Sequence, residues 1–199
     1  KPDLRFGMEL ADLSDIALKT QSDVLRNAVT SGGIVKGFTA SGCAGYSRRQ
    51  VDQLTNFVRS RGAGGLVTIA LEGSGSIEEV TMEKVRSAIG RFLTVEQIKE
   101  MAKRVGAIPG DLILIVAGPT KIVHTALAHL RNEMGQQLGF CDGNELAFAY
   151  ITNFPLFEWD EENRHWEPAH HVFTSPQEGQ WDLMENDPGA VRSRHYDLV

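Results

Sequence analysis

Cysteine is scarce. The 199 residues hold two, Cys43 and Cys141, far apart and in no metal-ligand spacing. That pattern excludes a disulfide scaffold and a cysteine-held zinc site. With no signal peptide it reads as reduced thiols in a cytoplasmic protein. Long apolar runs are missing as well. None approaches the roughly 20 residues needed to cross a bilayer, so a membrane helix is excluded. Positive charge is in deficit, with 20 Lys and Arg against 26 Asp and Glu for a net charge of -6. A general polyanion binder is therefore disfavoured, although local basic patches remain open. The common nucleotide and hydrolase signatures are absent too. No Gly-x-x-x-x-Gly-Lys-Ser/Thr string occurs, and no Gly-x-Ser-x-Gly elbow. Gly62-Ala63-Gly64-Gly65 follows a helical pattern and precedes a strand, the reverse of a dinucleotide-binding turn. The chain also lacks an initial methionine. It opens on Lys1-Pro2-Asp3 and closes on the strand-like His195-Tyr196-Asp197-Leu198-Val199, and so reads as a piece of a longer protein.

What is present is ordinary for a globular chain. Hydrophobic residues make up 42% and charged residues 23%, and the length suits one large domain or two small ones. Leu4 to Leu10 reads as extended, and Ser14 as a cap for a brief helix over Asp15–Lys19. Ile34–Ala40 is a strand candidate behind Gly32-Gly33. Ser47 and Gln50 form a capping box that launches a helix with Val51, Leu54, Phe57 and Val58 inward, stopped at Gly62. Leu66–Leu71 reads as the next strand, and Met82–Phe92 as a helical patch. Thr94 and Gln97 form a second capping box, followed by Ile98, Met101, Ala102 and Val105 on one face and Gly106 as a stop. Leu112–Val116 is the most apolar run. A long helix then extends through Leu138 with Val123, Leu127, Leu130 and Met134 on one stripe. Alternating strands and helices of this kind suggest a two-layer α/β sandwich.

Near residue 140 the texture changes. Ala147–Phe157 is aromatic and apolar, Glu158–His165 reads as an acidic hairpin loop, and Trp166–Phe173 as the returning strand. A connector with one turn of helix near Trp181–Met184 leads to a third strand over Val191–Val199. This second part reads as a piece of an antiparallel sheet. Chemistry centres on the doublet His170-His171, because imidazole titrates near neutral pH and can hold a carboxylate, a phosphate or a metal. On a strand the two would face opposite ways, whereas an exposed pair in a turn would carry no function. Glu167 with His170 and His171 makes a possible metal trio, though in no known zinc spacing. Asp197 offers a carboxylate of the kind that holds Mg²⁺ together with phosphates. Arg48, Arg49, Arg59 and Arg61 surround the first long helix. Lys99, Lys103 and Arg104, and Lys84, Arg86 and Arg91, form further basic groups. All of these read as solvated faces or as shallow phosphate contacts.

The strings Lys1-Pro2-Asp3-Leu4-Arg5 with Met8-Glu9-Leu10, Ile151–Phe157, Ala169-His170-His171-Val172-Phe173-Thr174-Ser175-Pro176 and His195–Val199 together resemble bacterial-type aspartyl-tRNA synthetases of class II. The resemblance implies an α+β chain in three stretches. Residues 1–19 would lead in from the catalytic domain. Residues 20–140 would be the inserted GAD domain, a DCoH-like two-layer α/β sandwich, and residues 141–199 part of the catalytic domain's antiparallel sheet. It implies aspartate activation by ATP and transfer to tRNA. His170 would contact the aspartate, with His171 in the same wall, and Asp197 would help hold Mg²⁺ and the ATP phosphates. The implied partners are L-aspartate, ATP and the acceptor side of tRNA, reached through Arg48, Arg49, Arg59 and Arg61. The parent would be a cytoplasmic homodimer. The family's ATP- and aspartate-binding arginines, its anticodon-binding barrel and the glycine-rich strand expected after Val199 lie outside residues 1–199, so the chain alone is expected to be inactive and to hold no cofactor. The GAD domain also occurs in the B subunit of the tRNA-dependent amidotransferase. A non-catalytic contact module is therefore the alternative, although the His-His-x-Phe-Thr-Ser-Pro string favours the synthetases.

Overall fold

The computed structural model describes residues 3–142, 144–171 and 173–199, so that Lys1, Pro2 and Val172 of the quoted strings lie outside the described residues. The described residues form two compact units, Phe6–Asp142 and the stretch from residue 144 to Val199 together with residues 3–5. The first unit is built on β1 (Ala11–Asp12), β2 (Ile34–Ala40), β3 (Val67–Leu71), β4 (Val85–Arg86) and β5 (Leu112–Gly118). These make an antiparallel sheet in the order β1-β2-β5-β3-β4. The most apolar run, β5, lies at the centre and pairs along its length with β2, from Ile34 opposite Gly118 to Ala40 opposite Leu112.

Side chains alternate faces along each strand, and here both faces are buried. Phe38, Ala40, Ala70, Leu112, Leu114 and Val116 pack under α3 (Arg48–Arg59) and α5 (Thr120–Gln137). Val35, Ile69, Leu71, Ile113 and Ile115 pack under α1 (Ser14–Lys19), α2 (Asp23–Thr30) and α4 (Val95–Val105). The class is α+β, as expected. The helices, however, clad both sides of the sheet, so the simple two-layer arrangement gains a third layer. Burying each such side chain contributes roughly 1.5–3 kcal/mol.

Local chemistry sets most boundaries. Both capping boxes form: Ser47 Oγ accepts from Gln50 N, Thr94 Oγ1 accepts from Gln97 N, and each glutamine side chain returns to its cap. Gly106 ends α4 with φ of 68°, a conformation glycine adopts without steric cost. Three expectations need correction. First, Ser14 does not cap α1. Its hydroxyl accepts instead from Val35 N–H at 3.0 Å, at the side of the sheet. Second, Met82–Phe92 is not a helix but two short 3₁₀ turns around β4. Arg86 anchors that strand through Glu72 at 2.9 Å and the carbonyls of Ala44 at 2.5 Å and Tyr46 at 3.1 Å. Third, residues 6–19 belong to this unit rather than to a separate lead-in. β1 pairs with β2, Leu13 and Ile16 are fully buried, and Arg131 of α5 donates to the carbonyls of Phe6, Gly7 and Met8.

The second unit is leaner. Leu156, Pro176, Val191 and Ser193 are its buried residues among those described. A hairpin pairs β7 (Phe157–Asp160) with β8 (His165–Pro168), placing Trp159 opposite Trp166. The expected acidic loop 158–165 is therefore half strand, with the turn confined to 161–164. Asp160 closes the turn by accepting from the N–H groups of Glu162 and Asn163 at 2.7 and 3.1 Å. β6 (Tyr150–Ile151) pairs with β9 (Asp197–Leu198), and α6 (Leu183–Asn186) supplies the single helical turn of the connector. The long strands expected over 147–157, 166–173 and 191–199 are each broken among the described residues. Proline explains two of the breaks: Pro155 and Pro168 lack the N–H a ladder needs.

Candidate functional site

Three backbone segments of the second unit converge on the histidine doublet. Ser193 N–H donates to Phe154 O at 2.8 Å, Leu156 N–H to Val191 O at 3.0 Å, Ala169 N–H to Leu156 O at 3.0 Å, and Arg194 N–H to Ser175 O at 2.9 Å. Asn153 takes φ of 60°, a left-handed geometry that asparagine tolerates better than most residues, and its side chain accepts from Gln177 Nε2 at 2.8 Å. This weave fixes Phe154, His170 and His195 against one another. The Phe154 ring stands edge-on to His170 with centroids 4.8 Å apart, and edge-on to His195 at 4.9 Å. The two imidazoles lie 4.5 Å apart at a 31° tilt. His195 Nε2 meets Asp197 Oδ1 at 2.7 Å. The carboxylate can only accept, so the imidazole nitrogen donates.

His170 and Asp197 are thus joined, and the joint is His195, which motif reading alone does not single out. A signal is present in the sequence all the same: on an extended segment, residues i and i+2 share a face, which brings His195 and Asp197 together. Ser193 is also fully buried, and its hydroxyl finds no partner among the described residues. Beside the joint lies a cleft of about 320 Å³ lined by Phe173, Thr174, Ser175, Arg194, His195 and Tyr196. It is lined by an imidazole, three hydroxyl-bearing side chains and a guanidinium. Arg194 is paired there with Glu178 at 2.7 Å.

His171 goes elsewhere. Its ring lies 4.7 Å from Phe173, its Nδ1 accepts from Phe173 N–H at 3.4 Å, and its carbonyl accepts from Thr174 N–H and Oγ1. It lines a second, more apolar cavity of about 290 Å³ with Leu156, Pro168, Trp181 and Met184. The doublet therefore splits, as alternation implies, but through a bend after Pro168 rather than along a strand. The trio Glu167, His170 and His171 does not gather. Glu167 faces His165 at 3.2 Å on the hairpin, and Asp160, His165 and Glu167 are the one such cluster among the described residues.

The four arginines also separate. Arg48 and Arg49 open α3 and Arg59 closes it. At 1.5 Å rise per residue the two ends lie roughly 16 Å apart. Arg61 stacks on Phe57 at 3.5 Å and donates to its carbonyl at 2.9 Å, while Arg59 Nε reaches Gly64 O at 3.4 Å. The latter two thus serve the turn that follows the helix.

The described residues thus comprise a doubly clad antiparallel sheet and, in a second unit, a backbone weave that brings two histidines and a carboxylate together. A family profile described as the GAD domain matches residues 25–127, just over half of the chain. The chain belongs to the GAD domain family. It is also similar over its whole length to proteins named aspartate–tRNA(Asp/Asn) ligase. Identity is 49% over 200 residues to that of Dehalococcoides mccartyi strain BAV1, 43% over 198 residues to that of Geotalea uraniireducens strain Rf4, and 43% over 199 residues to that of Moorella thermoacetica. Each match takes in 100% of this chain but only 32–33% of the relative, so the chain spans about a third of the length of the relatives it matches. Among the described residues no helix is long and apolar enough to cross a membrane.

Proposed function

We propose that the chain is the GAD-bearing third of a cytoplasmic, homodimeric aspartate–tRNA ligase. Such an enzyme joins L-aspartate to ATP as aspartyl-adenylate, releases pyrophosphate, and passes the aspartyl group to tRNA. The observation that carries this reading is the full-length match to ligases, which runs through the histidine doublet and the His195–Asp197 pair as well as the GAD domain. A free-standing GAD contact module, or the amidotransferase B subunit, would account for residues 25–127 alone.

On this reading His170 contacts the aspartate, since an imidazole can donate to its carboxylate. Asp197 lies beside the ATP phosphates. A bare carboxylate would repel triphosphate, so it works through a divalent cation. The side chain suits such a role, being 51% exposed and standing in no protein ligand cluster among the described residues. Mg²⁺ held chiefly by phosphates needs only one or two carboxylates. The ion would neutralise the phosphates, and this chain's own part is to present the carboxylate at a fixed angle. His171, turned toward Phe173, supports the bend rather than the substrate. Arg48 and Arg49, with Arg59 and Arg61 in a lesser role, are the proposed tRNA phosphate contacts.

ATP–pyrophosphate exchange tests the reading. The 199-residue chain is expected to show no aspartate-dependent exchange and the full-length protein to show it. In the full-length protein, His170→Ala is expected to raise the KM for aspartate about tenfold or more, the order of a lost hydrogen bond to a charged group. His171→Ala is expected to change it by less than half as much on a logarithmic scale. Clear exchange by the chain alone, or none by the full-length protein, overturns the assignment.

A further inference from the structure

We propose that His195 is a positioning residue that ties the aspartate-contacting imidazole to the phosphate-side carboxylate, so that one ring sets the geometry of both subsites. The inference rests on the ligase reading above and deepens it. His195 makes two contacts of different kind. Its ring lies 4.5 Å from His170, tilted by 31°, and its Nε2 holds Asp197 Oδ1 at 2.7 Å. Phe154 closes the arrangement by standing edge-on to both imidazoles at 4.8 and 4.9 Å. Neither His170 nor Asp197 lies in a rigid element that could orient it unaided. His170 sits in the bend that follows Pro168, and Asp197 in a two-residue strand. The backbone under His195 is anchored on either side. Ser193 and Arg194 are bonded to Phe154 and Ser175, and Val199 exchanges two hydrogen bonds with Ala149. Asp197 is held by its pairing with Ile151, and His195 by the bonded pair Ser193 and Arg194 directly before it. The His195 side chain is 27% exposed against 51% for Asp197.

The two contacts can be separated by substitution. His195→Phe keeps a ring beside His170 and loses the donor to Asp197. His195→Gln keeps a donor for Asp197 and loses the ring. His195→Ala loses both. In the full-length protein, ATP–pyrophosphate exchange should give a crossed pattern. His195→Ala raises the KM for aspartate and for Mg·ATP by several-fold to about tenfold each, the scale of one charge-assisted hydrogen bond or one ring contact, with kcat changed less. His195→Phe restores the aspartate KM but not that for Mg·ATP, and His195→Gln does the reverse. A side chain that merely supports the fold would move all variants together with their unfolding midpoints, and that result overturns the proposal. So does exchange in the unsubstituted protein with both KM values unchanged, within about twofold, in all three variants. Absence of exchange in the unsubstituted full-length protein overturns the ligase reading first and this inference with it.

Discussion

Asp111 is only 6% exposed, and its carboxylate accepts from two backbone N–H groups far apart in sequence, Gly42 at 2.8 Å and Ile108 at 3.0 Å. It closes the turn into the central strand and fixes the loop that follows β2. Asp111→Ala leaves both donors unsatisfied in partly buried surroundings. It is expected to cost about 2–4 kcal/mol, read as a lower urea midpoint at unchanged slope. Asp111→Asn keeps one acceptor and should cost about half as much. Nearby, burial and then the Cys43 thiol push the Tyr46 hydroxyl from 10.0 up to about 12. Burial raises Cys43 as well. A pKa raised on folding means that the folded state favours the protonated form. For Tyr46 that contribution is whole below about pH 10 and is lost as pH rises toward about 12. Tyr46→Phe should flatten that part of a urea-stability profile taken from about pH 8 to 12, leaving the loss due to Cys43 in place. At this scale the sequence was most readable where chemistry is local. Ser47 with Gln50 and Thr94 with Gln97 cap helices as their spacing implies. Asp111 and His195 do not stand out in it, because one partner of each, Gly42 and His170, is set by how the chain folds back rather than by neighbours along it.

Among the elements, the strands that cross the middle of the sheet carry a constraint that composition does not announce. Gly37 in β2 pairs with Ala11 on one side and Ile115 on the other. A Cβ there would stand 2.6 Å from Leu114 O, a backbone atom that cannot rotate away. Gly37→Ala is therefore expected to destabilise the Phe6–Asp142 unit by about 1–3 kcal/mol, as overpacking does, despite alanine's lower entropic cost in a strand. A thermal midpoint unchanged or raised would contradict this. Element type was legible for long periodic runs such as α3, α4 and α5. It failed for α2, where Ser22 forms no side-chain cap, and for residues 82–92, where Arg86 and the sheet edge override an apparently helical pattern. Strand order lay out of reach. β5 comes last along the sequence of this sheet yet sits between β2 and β3, where its unbroken apolar run Leu112–Val116 is buried on both faces.

Taken whole, the two units differ sharply in how far they satisfy themselves. Phe6–Asp142 buries both faces of its sheet under its own helices and holds its leading residues to α5 through Arg131 and Phe6, whose ring lies 4.4 Å from the guanidinium. Among its described residues the other unit has Leu156 and Val191 as its fully or nearly buried apolar side chains apart from Pro176, and leaves much aromatic and aliphatic surface open. Phe148, Tyr150, Tyr196 and Leu198 are between 56% and 69% exposed, and Phe173 is 89% exposed. The two-residue strands β6 and β9 make a ladder too short to be stable alone, and such apolar surface normally meets a partner. In relatives three times as long, the remaining chain is available to cover it. Residues 6–142 expressed alone should therefore unfold cooperatively with the midpoint of the main transition of the 199-residue chain. Amide hydrogens in residues 144–199 of that chain should exchange orders of magnitude faster than those of β2 and β5, since local opening tracks buried contact. Should residues 6–142 fail to fold, or residues 144–199 prove equally protected, the core of the first unit is not self-sufficient, and the arginine-bearing module is no independent insertion.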